Sequence, residues 1–237
     1  MDSRRDGDES NEVKRTSDAT GVQGGSAPFN PMWGTMIVVA FVLATALFCA
    51  HATTHGFRAL TSDKARQVEL ATTPVMIPDI PLVDSHNRIV PLRQVTGEKP
   101  FTVVALVYTQ CTTLCLLTAS GESWLQANLR AKGLDARVGL LTISFDPARD
   151  TPDALAAYAR RVKARPDQWT IATVAHHQDL DGLLDAFGIV VIPDANGELI
   201  HNGALFLVDR QGRIFDAYDP DAADEVLARL DTLASTQ

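Results

Sequence analysis

Large apolar residues are distributed very unevenly along the first third of the chain. After Met1, positions 2–31 hold only Val13, Val22 and Phe29. Positions 32–52, MWGTMIVVAFVLATALFCAHA, contain no Asp, Glu, Lys or Arg. Positions 53–74 mix the two characters, and from 75 onward short apolar runs alternate with turn-forming clusters. The first segment cannot bury enough surface to offset chain entropy, which predicts a disordered arm over 1–31. The second, at about 1.5 Å per residue in a helix, matches a hydrocarbon core of about 30 Å. Trp33 stands where an interfacial aromatic belongs. A cleaved signal peptide is the rival reading, because Ala50-His51-Ala52 has a small-x-small pattern. The arm ahead of it, however, is long and acidic, where a signal peptide begins short and basic. These patterns predict an uncleaved transmembrane helix over 32–52, with Cys49 inside it as a structural thiol, and a linker over 53–74. Lys14 and Arg15 before the span, and Arg58, Lys64 and Arg66 after it, leave its orientation nearly balanced.

Residues 75–237 form the globular part. MIPDIPLVDSHNRIVPLRQV has two short apolar runs around Asp84-Ser85-His86-Asn87 and predicts a hairpin. FTVVALVYT (101–109) is a continuous β-branched and aromatic run, the pattern of a strand buried on both faces. LLTASGESWLQANLRAKG reads as a helix with Leu117, Trp124, Leu125 and Leu129 inward and Gly133 as its stop. ARVGLLTISF (136–145) is a second buried strand. In the next segment Thr151 is placed as N-cap, Pro152 at the first helical position and Asp153 at the positive helix end. QWTIATV predicts a third strand, HHQDLDGLLDAFG a helix stopping at Gly188, and ALFLVDRQGRIFDAY a hairpin turning at 209–212. A last helix covers about 220–234. The order ββ, βα, βα, βα, ββ, α predicts an α/β domain with parallel strands in the middle and a hairpin at the edge.

Composition narrows the function classes. The chain has 237 residues and a formal charge of −8, with no cluster of Lys and Arg, which argues against nucleic-acid binding. Three cysteines cannot build a disulfide framework, and structural zinc sites draw on four ligands, so the thiol chemistry is local to one place. That place is VALVYTQCTTLCLLT (104–118), where Cys111 and Cys115 follow a buried strand and enter a helix. Chemistry in an open α/β sheet collects at the carboxyl ends of strands. A helix start favours thiolate over thiol, which makes the sulfur a better nucleophile and a better metal ligand. Positions i and i+4 share a helix face, so both sulfurs can point at one spot. Two thiolates with an imidazole suit a thiophilic ion such as Cu(I). A redox pair and two inert half-buried thiols are the other readings of the same spacing.

Four segments together resemble the Sco/SenC family of copper proteins. They are YTQCTTLC, the Asp-Pro-x-x-Asp-Thr-Pro stretch in ISFDPARDTPDALAAYA, HNGALFLVDRQGRI, and the opening IPLVDSHNRIVPLRQVTGEKPFTVVALVY. The likeness covers roughly residues 77–220. It implies a thioredoxin-like fold with a central mixed sheet, a copper ion as ligand, and Cys111, Cys115 and His201 as the metal ligands. His201 lies in the polar stretch ELIHNG, read as a loop able to fold back over the cysteine-bearing helix start. The remaining histidines read as turn, helix-start or linker residues. Family members usually carry Pro after each cysteine and often His before the first; here those positions are Thr112, Leu116 and Gln110. Without those prolines the loop and helix start are less stiff, which marks a divergent version of the site.

The resemblance implies a membrane-anchored metallochaperone that passes copper to the copper-accepting subunit of a terminal oxidase, during cytochrome c oxidase assembly, or to another copper chaperone. An open coordination position would let an acceptor's ligand enter before the donor's leave. The alternative is an enzyme, a thiol-disulfide reductase in which Cys111 attacks a partner's disulfide and Cys115 resolves it. The usual thioredoxin spacing has two intervening residues, not three. The anchor and the family together place the soluble domain outside the cytoplasm, on a bacterial inner membrane. The acidic start of the chain does not resemble a mitochondrial targeting segment.

Overall fold

A computed structural model describes residues 31–53, 70, 72–110, 114–193 and 199–235. The expected arm at 1–31, except for Pro31, and most of the expected linker at 53–74 lie outside them. The chain divides between residues 49 and 50 into two units, which are taken separately.

In the first unit the backbone is helical from the end of the polar arm. Helix α1 runs Pro31–Thr53, 23 residues with no Asp, Glu, Lys or Arg. Met36, Ile37, Val38 and Val39 are consecutive and all exposed, so the apolar surface runs round the helix and not along one stripe. Counted over described residues alone, no helix is long and apolar enough to cross a membrane. The side chain of Cys49 lies outside the described residues.

The second unit is built on an eight-stranded sheet in the order β1-β10-β9-β4-β5-β6-β2-β3. The strands are β1 (Val75–Met76), β2 (Pro81–Asp84), β3 (Ile89–Pro91), β4 (Phe101–Val107), β5 (Val138–Ser144), β6 (Trp169–Val174), β9 (Leu205–Asp209) and β10 (Arg213–Tyr218). β4 and β5 pair in parallel, as do β5 and β6, and every residue of β4 and β5 is buried. Helix crossovers cover both faces of such strands, which explains their unbroken apolar runs. Antiparallel pairs flank this centre on both sides, β9 against β4 and β2 against β6. Both expected hairpins form, β2–β3 on one side of this centre and β9–β10 on the other. The first turns through Asn87 in the left-handed region (φ 59°), a conformation its short polar side chain tolerates.

Helix α2 (Leu92–Gly97) replaces the tail of the expected first hairpin. Helices α3 (Leu114–Ala131), α4 (Pro152–Val162), α5 (Leu180–Phe187) and α6 (Ala223–Ser235) follow, α3 packing against both α4 and α6. Gly133 and Gly188 sit in the left-handed region just past α3 and α5, where only glycine escapes the Cβ penalty. The face of α3 corrects the sequence reading. Leu125 and Leu129 are fully buried, but Leu117 and Trp124 are exposed. The buried positions among the described residues are Thr118, Ala119, Glu122, Leu125, Gln126 and Leu129, a stripe that recurs every three to four residues. Leu117 and Trp124, seven apart, lie together on the opposite side. Residue type alone put the two large apolar side chains inward, and the helical period overrides it.

Thr151 caps α4 as expected, its hydroxyl accepting from the Ala154 N–H at 3.4 Å, with Pro152 at the first helical position. Because this bond is long, Thr151→Ala is expected to cost about 0.5–1 kcal/mol, read as a lower guanidinium midpoint with an unchanged m-value.

Candidate metal centre

The carboxyl ends of β4 and β5 lie side by side, because the two strands pair in register from Phe101↔Val138 to Val107↔Ser144. Tyr108 and Phe145 continue these strands by one residue each, and their rings are 5.6 Å apart. Both are buried. Three residues after Tyr108 comes Cys111, which lies outside the described residues. Cys115 falls in the first turn of α3 by its backbone, and its side chain also lies outside them. The sharing of one face by the two sulfurs is thus untouched by the described geometry. Among the described residues no group of three His, Cys, Asp or Glu side chains is placed to hold a metal ion.

His201 is fully described. ELIHNG is not a loop throughout: Leu199–His201 is a strand, β8, paired antiparallel with β7 (Val191–Pro193) in a separate two-stranded ribbon. Val191 opposes His201 and Ile192 opposes Ile200. Because side chains alternate along a strand, Ile192 and Ile200 project to solvent, while the partly buried Val191 and Leu199 pack against the core. The half-buried His201 ring meets Phe145 at 4.8 Å and Tyr108 at 5.9 Å, edge-on to both. The ribbon therefore carries the histidine from the far end of the chain to the tips of β4 and β5. The polar composition of ELIHNG concealed the strand, since only three residues pair.

The backbone fixes the ring's orientation. Nδ1 lies 2.8 Å from the Asn202 carbonyl, which makes it the proton-bearing nitrogen and leaves the lone pair on Nε2. The Asn202 side chain in turn accepts from the Val190 N–H at 2.7 Å and donates to the Gly188 carbonyl at 3.1 Å. Burial pushes the His201 pKa below the usual imidazole value, partly opposed by the bond to Asn202. The ring is thus neutral near pH 7, the form that ligates a metal.

Beneath this corner runs a polar network that sequence reasoning passed over. Asp150, fully buried, accepts from the Thr109 N–H (2.8 Å), the Thr109 hydroxyl (2.5 Å) and the Ser144 hydroxyl (2.5 Å). Arg161 donates to the Thr109 carbonyl at 2.9 Å. Arg149 pairs with Asp146 and stands 5.9 Å from the Tyr108 ring centre. The Asp-Pro-x-x-Asp-Thr-Pro stretch was the signal available: its second Asp is Asp150, and its Thr is the α4 cap.

Comparison with known proteins bears on the family and the fold. A family model for SCO1/SenC matches residues 71–235. A SCO1 protein homolog of Bacillus subtilis (strain 168) is 27% identical over 115 residues, 48% of this chain and 58% of that protein's length. Among solved structures, a SCO1/SenC family lipoprotein from Bacillus anthracis superposes with a TM-score of 0.61 at 21% identity, covering 68% of this chain and 98% of that one. Arabidopsis thaliana ScoI, solved with copper bound, superposes with a TM-score of 0.56 at 15% identity, covering 67% and 99%. At these identities the superpositions speak for the fold.

Proposed function

The chain belongs to the SCO1/SenC family, and we propose that it is a membrane-anchored copper carrier whose metal ligands are Cys111, Cys115 and His201. The observation that carries the reading is the position of His201. A neutral imidazole with its Nε2 lone pair outward from the Asn202 bond is held against Tyr108, three residues from Cys111. Two thiolates and one imidazole form a soft donor set suited to copper, and a relative in this fold has been solved with copper bound. Copper is the cargo here. A three-residue set near the surface leaves a coordination position open, so an acceptor's ligands can enter before the donor's leave. The acceptor in this reading is the copper-accepting subunit of a terminal oxidase during cytochrome c oxidase assembly, or a second copper chaperone.

Helix α1 supports the anchor. Its 23 residues would extend about 35 Å at 1.5 Å per residue, it has no Asp, Glu, Lys or Arg, and it exposes apolar residues all round. A single-pass span on a bacterial inner membrane, with the globular unit outside the cytoplasm, follows from that reading.

Titrating copper into the reduced full chain in detergent is expected to reach one ion per chain. Thiolate-to-Cu(II) charge-transfer absorption should be present in the parent, weakened and shifted in Cys111→Ser and in Cys115→Ser, and lost when both are replaced. Sub-stoichiometric binding without that absorption overturns the reading. Efficient reduction of a partner's disulfide by such a chain would favour the thiol-disulfide reductase instead.

A further inference from the structure

We propose that Asp150 is a positioning residue for this metal centre, a buried bracket that fixes the cysteine-bearing segment relative to the platform under His201; the inference rests on the copper reading above. Each Asp150 oxygen is engaged: Oδ1 by the Thr109 hydroxyl, and Oδ2 by the Thr109 N–H and the Ser144 hydroxyl. Ser144 also accepts from the Asp146 N–H at 3.0 Å, and its carbonyl accepts from the Thr173 hydroxyl at 2.9 Å. With Arg161 on its carbonyl, Thr109 has its N–H, hydroxyl and carbonyl all tied down. Bonds from neutral donors to a carboxylate are among the stronger hydrogen bonds, and burial strengthens them further.

The reach of this bracket follows from chain geometry. Cys111 is two residues beyond Thr109, so its Cα lies within about 7 Å of Thr109 Cα whatever the path between. On the other side, Tyr108 and Phe145, which flank the His201 ring, are the immediate chain neighbours of Thr109 and Ser144. One carboxylate therefore joins the residue that launches the cysteines to the strand end that seats the histidine. A ligand set held in place before binding spends less affinity on ordering.

The test compares the full parent chain in detergent with Asp150→Asn, in which an amide N–H₂ faces one of the three donors. Two readings are taken at a temperature where circular dichroism shows each protein folded. Copper affinity is expected to fall roughly 10- to 100-fold at unchanged stoichiometry, with a shifted thiolate-to-Cu(II) absorption. In the metal-free reduced protein, the rate of Cys111 alkylation by iodoacetamide, followed by mass spectrometry, should change several-fold. If Asp150→Asn fails to fold, Arg161→Met removes the bond to the Thr109 carbonyl from a partly exposed position and should move both readings in the same direction by a smaller factor. Folded variants with parental affinity, spectrum and alkylation rate overturn the inference. A parent chain that binds no copper overturns the copper reading instead, and the alkylation rates still decide the bracket.

Discussion

Between about pH 4.5 and pH 8 this protein is expected to lose about 5 kcal/mol of folding stability through one side chain, Glu122. Glu122 is fully buried on the inner face of α3. Its Oε1 accepts from the Thr142 hydroxyl at 2.8 Å, and that hydroxyl accepts from the Trp169 indole N–H at 2.8 Å. Oε2 has no hydrogen-bond partner among the described residues. Burial pushes its pKa up to about 8, and the Thr142 bond only partly opposes this. Taking an unpaired carboxylate out of water costs far more than burying a neutral carboxyl, so the folded chain keeps the proton. The unfolded chain releases it near 4.5. In that window the native state binds more protons than the unfolded state, so stability falls as pH rises. This group's contribution is complete below 4.5, declines by roughly 1.4 kcal/mol per pH unit, and is flat above 8. Glu122→Gln keeps the shape and the acceptor for Thr142 but cannot ionise. Guanidinium midpoints from pH 5 to 9 should therefore show the variant gaining on the parent as pH rises, with the gap levelling beyond pH 8. Parallel curves for the two proteins would mean that Glu122 is charged and compensated in the native state.

That carboxylate also shows where sequence reading stops. The parallel centre was legible because β4 and β5 are unbroken apolar runs, and the cap of α4 because Thr151-Pro152-Asp153 states its chemistry locally. The inner face of α3 was not legible. Glu122 and Gln126 look like solvent residues and Leu117 and Trp124 like core, yet the helical period places them the other way round. A buried glutamate becomes tolerable only because Thr142, on a different strand, meets it, and no local pattern announces such a partner. The candidate site divides in the same manner. Cys111 and Cys115 could be singled out by spacing, because a strand end and a helix start are local features. His201 entered through resemblance alone, and its seat on Tyr108 and Phe145 depends on a ribbon paired over three residues. Asp150 lies forty-one residues from Thr109, and only the pairing of β4 with β5 brings the second carboxylate of its motif to the residue two before Cys111.

Removing the imidazole nitrogens while keeping a ring is expected to separate two roles that His201 combines. As an aromatic body it fills an edge-on position against Phe145 and Tyr108, a kind of contact worth about 0.5–1.5 kcal/mol per pair. As the ligand proposed above it would offer the Nε2 lone pair, whose direction the Asn202 bond fixes. His201→Ala discards both and should lower the guanidinium midpoint as well as copper affinity. His201→Phe retains the packing, so its stability should stay close to the parent's. Its copper affinity should still fall by more than about a hundredfold, because a lost ligand weakens a site more than a lost outer partner, which typically costs 10- to 100-fold. The two remaining thiolates should continue to give charge-transfer absorption with Cu(II), displaced from its parental position. Parental affinity and spectrum in His201→Phe would show that the histidine is a packing residue and that the centre rests on the cysteines alone. Loss of affinity in both variants, with loss of stability only in His201→Ala, is the pattern a three-ligand site requires: the packing contact is replaceable by any ring of that size, and the lone pair is not.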